Sequence, residues 1–137
     1  MKLVIDTNRI VAALVKNGLS RTIIFNKRFK FYTPDHTLQE IENHKLELLK
    51  KAELTSKNFD LLLSILLEKI IIVSKDRYEK NLSKVENLIS DNEDTPFLAV
   101  AISINADGVW SDDRDFQEQS KMRILTTKDM LELIRIN

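Results

Sequence analysis

Short apolar runs alternate with amphipathic stretches along the chain. The runs that predict strands are residues 3–5, 29–33, 70–73, 109–110 and 124–125. The run at 70–73 is the clearest, because four consecutive β-branched residues pack well on a pleated sheet. Runs that are apolar at every position, rather than at alternate ones, are typical of parallel strands covered on both faces.

Apolar residues at helical spacing predict helices between these strands. The predicted helices cover residues 10–15, 23–25, 35–51, 56–68, 78–89, 96–102 and 130–133. The first is expected to stop near Asn17 and Gly18, as helices often end at such residues. In the stretch 35–51, the residues expected to face the core are Leu38, Ile41, Leu46 and Leu49.

Strands that alternate with helices predict an α/β protein. We expect a three-layer α/β/α sandwich around a mainly parallel sheet of four to five strands. The 137 residues make one domain, spanning 1–137, because a second large core would need a longer chain.

The composition excludes several classes of site. The chain has no cysteine, which rules out disulfides, thiolate catalysis and cysteine-ligated zinc or iron–sulfur centres. The opening residues, MKLVIDTN, reach an acid at Asp6 and do not resemble a secretory signal. The apolar runs are also too short for a membrane helix, so we expect a cytoplasmic protein without membrane association.

The charges balance at 21 basic and 21 acidic residues, yet their distribution is polarised. Residues 16–30 contain basic side chains and no acid, namely Lys16, Arg21, Lys27, Arg28 and Lys30. Residues 91–115 contain seven acids and a single base, Arg114. This pattern suits an anionic polymer on one side and metal cations on the other. Two solvated faces remain the alternative explanation.

Acids follow or precede the predicted elements at places that the topology could bring together. Asp6 ends the first strand, residues 111–115 follow the fourth, and Asp91, Glu93 and Asp94 precede the helix opened by Pro96. Ligand sites in open parallel sheets lie outside the carboxyl ends of the strands. Helix capping or turn formation could explain each acid singly. Jointly, the acids predict an oxygen-ligand site for Mg²⁺ or Mn²⁺.

The order of these segments resembles that of the PIN domain, a metal-dependent nuclease fold of many prokaryotic toxins and RNA-processing factors. The run Val4-Ile5-Asp6-Thr7-Asn8 resembles the family's first motif, and Glu40 matches its glutamate on the helix after the second strand. Asp94 resembles the acid that precedes an apolar, alanine-rich helix. The run 111–116, Ser-Asp-Asp-Arg-Asp-Phe, resembles the final motif of threonine or serine, any residue, and aspartate.

The resemblance implies a Mg²⁺- or Mn²⁺-dependent ribonuclease that hydrolyses single-stranded RNA. Its catalytic and metal-binding residues would be Asp6, Glu40, Asp94 and Asp113, with Asp115 as an additional ligand and Asp91 left open. Residues orienting these acids would be Thr7, Asn8 and Ser111, and residues contacting RNA would be Arg9, Lys16 and Arg21. The serine-x-aspartate register selects Asp113 over Asp112 as the final ligand.

The resemblance further implies a homodimer and a small antitoxin partner, as in toxin–antitoxin pairs. Two alternatives remain open from the sequence. One is a receiver-like phosphoacceptor domain, which also collects acids at strand ends. The other is a PIN fold without catalysis that serves as an RNA-binding or assembly module.

Overall fold

The computed structural model describes residues 1–15 and 18–135 and contains a five-stranded sheet in the order β3-β2-β1-β4-β5. The strands are β1 (Lys2–Ile5), β2 (Lys30–Pro34), β3 (Ile70–Val73), β4 (Gly108–Trp110) and β5 (Ile124–Leu125). Every neighbouring pair is parallel. The predicted α/β class and parallel sheet are therefore confirmed, with β1 at the centre.

Helices connect the strands, as the alternation predicts. They are α1 (Thr7–Val15), α2 (Leu19–Ile24), α3 (His36–Asn43), α4 (Lys45–Ala52), α5 (Ser56–Leu67), α6 (Lys75–Tyr78), α7 (Leu82–Val85), α8 (Thr95–Ser103) and α9 (Thr127–Arg135). Two 3₁₀ turns lie at Glu79–Asn81 and Arg114–Glu118. Within the described ranges, no helix is both long and apolar enough to cross a membrane.

Side chains on the two faces of the sheet build two separate hydrophobic clusters. On β1, Leu3 and Ile5 join one cluster, together with Trp110 of β4. Val4 points the other way and joins the second cluster, which contains Phe97 of α8. This division follows from the alternation of side chains along a strand. Because both faces of the sheet are covered, the molecule has the predicted three layers. Helix α8 lies across one face of the sheet.

The prediction of one continuous helix over 35–51 is wrong. The helix breaks at His44, whose φ of −106° and ψ of 10° are not helical. After the break, α4 packs against α1. The turn changes which residues face the core: Leu48 is buried, while the predicted core residue Leu46 is 79% exposed.

The predicted helix at 78–89 is also replaced, in this case by two single helical turns and a 3₁₀ turn. The first turn begins earlier than predicted because Asp35 accepts a hydrogen bond from the backbone N–H of Lys75 at 3.1 Å. The buried Asn81 side chain then donates to Ser103 Oγ at 2.6 Å, which ties the segment to the end of α8. Contacts with other elements thus override the local helical pattern.

Candidate metal centre

The candidate site lies where β1 and β4 end. The parallel register pairs Ile5 with Trp110, so the residues that follow each strand stand side by side. Asp6 is 4% exposed, and its Oδ2 accepts a 2.7 Å hydrogen bond from Ser111 Oγ. The first and last motifs, 105 residues apart in the chain, therefore meet at one buried hydrogen bond.

Asp113 is held at this edge by a compact turn. Its backbone N–H donates to Ser111 Oγ at 3.0 Å, and its Oδ1 accepts from the backbone N–H of Asp115 at 2.9 Å. The second bond caps the 3₁₀ turn Arg114–Glu118. Ser111 thus organises both Asp6 and Asp113, and the Asp113 carboxylate lies close enough to Asp6 to disfavour its ionisation.

Three further carboxylates converge next to this pair. Oxygen atoms of Asp91, Asp94 and Asp115 lie within 4.8 Å of one another. Asp94 stands at the start of α8 but makes no side-chain capping bond to that helix. Its Oδ2 is buried and has no hydrogen-bond partner among the residues that the structure describes. A buried acceptor without a donor is costly, and a cation is one way to satisfy it.

The electrostatics of the cluster agree with this geometry. Burial is the main cause that raises the pKa of Asp94 to about 7, and the charges of Asp91, Asp113, Asp6 and Asp115 contribute to the same rise. Burial also raises the pKa of Asp6, against the lowering effect of the Ser111 hydrogen bond. For the partly exposed Asp115, the neighbouring Asp113 charge is the main cause of a raised pKa. Like charges at this distance repel unless a cation lies among them.

Glu40 lies beside the aspartates rather than among them. Its Oε1 accepts a 2.8 Å hydrogen bond from Thr7 Oγ1. His36 Nε2 is 3.2 Å from the same oxygen, although its geometry is not that of a hydrogen bond. The structure therefore brings Asp6, Asp94, Asp113 and Asp115 together and connects Glu40 to them through Thr7, the residue after Asp6.

The three predicted orienting residues make different contacts. Ser111 bonds to Asp6 and Thr7 bonds to Glu40, in both cases through the side-chain hydroxyl. Asn8 reaches Asp6 Oδ1 through its backbone N–H at a long 3.4 Å, and the residue is exposed.

The predicted RNA-contacting residues are partly engaged within the protein. Arg9 Nη1 lies 2.8 Å from Asp112 Oδ2 and donates to Thr127 Oγ1 at 3.3 Å. Arg21 Nε donates to the carbonyl oxygen of Ala13 at 2.6 Å. Lys16 lies outside the described residues. Contact of these three residues with RNA remains a prediction.

Asp112 is directed away from the carboxylate cluster. Its Oδ1 accepts from the backbone N–H of Thr127, and its Oδ2 accepts from the Thr127 hydroxyl, both at 2.7 Å. The residue therefore caps the start of α9 and pairs with Arg9. Extended backbone alternates its side chains, which places Asp112 opposite Ser111 and Asp113.

Sequence reasoning missed two buried hydroxyls behind the site, those of Thr33 and Thr37. They bond to one another at 2.9 Å, and Thr37 contacts Thr7 at 3.0 Å. No local motif marks them, because their partners belong to other elements. Only the spacing of Thr33 and Thr37 across the start of α3 could have suggested that they meet.

The donor set fits a hard divalent cation. It consists of carboxylate oxygens and contains no cysteine, and it includes the buried Oδ2 of Asp94, which has no hydrogen-bond partner in the described part of the chain. Oxygen ligands favour Mg²⁺ and Mn²⁺ over the softer metals that sulfur and imidazole select. The residues present thus match the chemistry of the cation that the sequence predicts.

Comparisons with known proteins agree with this fold. The structure of VapBC2 from Rickettsia felis, bound to a DNA fragment from their promoter, is similar with a TM-score of 0.68 and 19% identity over 92% of this chain and 98% of that chain. No curated protein matches the sequence significantly. The model of the PIN domain family matches residues 4–133, which is nearly the whole chain. The chain therefore belongs to the PIN domain family, whose members are typically metal-dependent nucleases.

Proposed function

We propose that this protein is a Mg²⁺- or Mn²⁺-dependent endoribonuclease that hydrolyses phosphodiester bonds of single-stranded RNA. The observation that carries the proposal is the Asp94 carboxylate, whose buried Oδ2 has no donor in the described part of the chain and faces other carboxylates. Repulsion among these carboxylates destabilises the metal-free fold, and a bound cation would relieve that repulsion. Membership of the PIN domain family supports the same conclusion.

In this proposal Asp6, Glu40, Asp94 and Asp113 hold the cation, with Asp91 and Asp115 beside them. A divalent cation held there would lower the pKa of a water molecule and would stabilise charge on the leaving oxygen. Each carboxylate oxygen accepts more than one bond, so Asp6 and Asp113 keep lone pairs for the cation.

The protein's own hydroxyls keep these ligands in place. Ser111 holds Asp6 Oδ2 and receives the backbone N–H of Asp113, so one side chain sets the distance between two ligands. Thr7 holds Glu40 Oε1 in the same manner. Ligands fixed before the substrate arrives need no rearrangement during the reaction.

The proposal extends to partners and place of action. Arg9, Lys16 and Arg21 flank the first motif and would contact the RNA backbone. A small antitoxin protein would bind the nuclease, which is supported by the likeness to VapBC2. We place the nuclease in the cytoplasm as a homodimer.

The test is cleavage of a labelled single-stranded RNA by the purified protein with Mn²⁺ or Mg²⁺. We expect cleavage that stops on addition of EDTA and is lost in Asp94→Asn. A matched control is Asp35→Asn, which alters an acid outside the cluster and should cleave at the parent rate. RNA binding without cleavage under any divalent cation would refute the nuclease and favour the non-catalytic alternative.

A further inference from the structure

A chain of buried threonine hydroxyls runs from the central strand to Glu40. Thr33 and Thr37 are 0% exposed and Thr7 is 6% exposed. Thr33 Oγ1 donates to the carbonyl oxygen of Ile5 at 2.9 Å and lies 2.9 Å from Thr37 Oγ1. Thr37 Oγ1 lies 3.0 Å from Thr7 Oγ1, which donates to Glu40 Oε1 at 2.8 Å.

This set of threonines has one hydroxyl proton fewer than it has hydrogen-bond contacts. Each hydroxyl supplies a single proton and can accept two hydrogen bonds. The Ile5 carbonyl can only accept, so Thr33 uses its proton there. An ionised Glu40 can only accept, so Thr7 uses its proton there. Thr37 therefore lies between two oxygens that both accept, and its single proton is shared between Thr33 and Thr7.

We propose that Thr37 is a positioning residue, which directs the Thr7 hydroxyl toward Glu40. When Thr37 donates to Thr7 Oγ1, the proton of Thr7 is directed to Glu40 Oε1. The other carboxylate oxygen, Oε2, has no hydrogen-bond partner within residues 1–15 and 18–135 and stays available for a cation. This inference rests on the proposed function, in which Glu40 helps to hold the metal.

Thr33 acts against this arrangement, because its oxygen can also accept the hydroxyl proton of Thr37. It competes with Thr7 for the hydroxyl proton of Thr37, so its removal leaves that proton entirely for Thr7. Thr33→Val and Thr37→Val are both isosteric, fully buried changes, and each removes two hydroxyl contacts. A merely structural role predicts similar effects of the two variants, whereas positioning predicts different ones.

The experiment measures Mn²⁺ affinity by calorimetry, the kcat and KM of Mn²⁺-dependent RNA cleavage, and the Tm of each variant. We expect both variants to lower Tm to a similar extent. Thr37→Val should weaken Mn²⁺ binding about three- to tenfold and lower kcat with KM unchanged, since one hydrogen bond that orients the ligand pair is lost. Thr33→Val should leave both values within about twofold of the parent. Thr37→Ser, which keeps the hydroxyl, should restore them.

A double variant separates positioning from general loosening of the site. In a Glu40→Gln background, Thr37→Val should cause no further loss of Mn²⁺ affinity, because its effect passes through Glu40. Equal losses in Thr33→Val and Thr37→Val, or additive losses with Glu40→Gln, would overturn the role of Thr37 while the nuclease stands. A parent protein that neither binds Mn²⁺ nor cleaves RNA would overturn both.

Discussion

Two aspartates at the starts of helices show how differently one residue type is used in this molecule. Asp35 precedes α3 and accepts hydrogen bonds from the backbone N–H groups of His36 and Lys75 and from the Tyr78 hydroxyl, at 2.8, 3.1 and 3.1 Å. Asp94 precedes α8, makes no such bond from its side chain to the helix, and faces other carboxylates. Surrounding donors make an acid a structural element, whereas surrounding acids make it a candidate ligand.

The same contrast separates two adjacent residues. Asp112 is satisfied by Thr127 and Arg9, in the manner of Asp35. Asp113 uses one oxygen to cap a turn and lies near Asp6 and Asp94, whose pKa values its charge raises. The donors around each carboxylate therefore distinguish a structural acid from a candidate ligand in this pair.

The largest effect on the cleavage rate is expected from substitutions at the adjacent pair Asp112 and Asp113. Asp113→Asn removes a proposed ligand and should lower the rate of Mn²⁺-dependent RNA cleavage ~10³-fold or more. Asp112→Asn should retain most of the activity, and Asp115→Asn should fall between the two. Single-turnover cleavage of one RNA by all three variants measures this. A dead Asp112→Asn beside an active Asp113→Asn would reverse the assignment.

Next in size is the effect of pH on cation binding. The raised pKa of Asp94, about 7, means that a proton competes with the cation on the acid side of neutrality. Mn²⁺ affinity should therefore fall as pH drops below 7, by up to about tenfold per pH unit for one displaced proton. Calorimetry between pH 5 and 8 tests this. A flat profile would show that Asp94 does not bind the ion.

Removing the satisfied acid should affect stability rather than activity. Asp35→Ala leaves the backbone N–H groups of His36 and Lys75 without their acceptor and should lower the free energy of unfolding by about 1–3 kcal/mol. Urea denaturation measures the loss. Cleavage by the folded variant should equal that of the parent, and a specific loss of activity would place Asp35 in the site.

A stability effect of opposite sign is expected for Asp94→Asn in the absence of metal. In the folded protein Asp94 keeps its proton up to about pH 7, whereas its ordinary pKa is 3.8. The parent therefore loses stability as pH rises from 3.8 to 7, and it keeps that deficit above pH 7. The asparagine variant should be more stable than the parent above pH 7 and equal to it below pH 3.8. Thermal unfolding in EDTA across this range checks the sign.

The sheet was predictable because its signals are local. Ile70–Val73 appears in the structure with the predicted bounds, since β-branched residues favour strands wherever they pack. The meeting of Asp6 with the segment after β4 also follows from a general rule for parallel sheets. Both predictions needed only short stretches of sequence and the order of the strands.

Other features depend on partners far along the chain. The break at His44 occurs without any glycine or proline between residues 35 and 51, because the packing of α4 on α1 decides it. The pairing of Arg9 with Asp112 and the threonine chain connect segments that no local pattern relates. The sequence thus predicted which acids are candidates for the site but could not show which donors satisfy each of them.

One strand has a further consequence for how the protein behaves in solution. β3 lies at the end of the strand order, and the side chain of Ile71 there is 40% exposed. An edge made of β-branched residues is a template on which another chain can add a strand, the first step of aggregation. Charged residues flank the edge on both sides, with Glu68 and Lys69 before it and Lys75 and Asp76 after it. Flanking charges of this kind discourage self-assembly and so counteract the tendency of such an edge to pair with another chain.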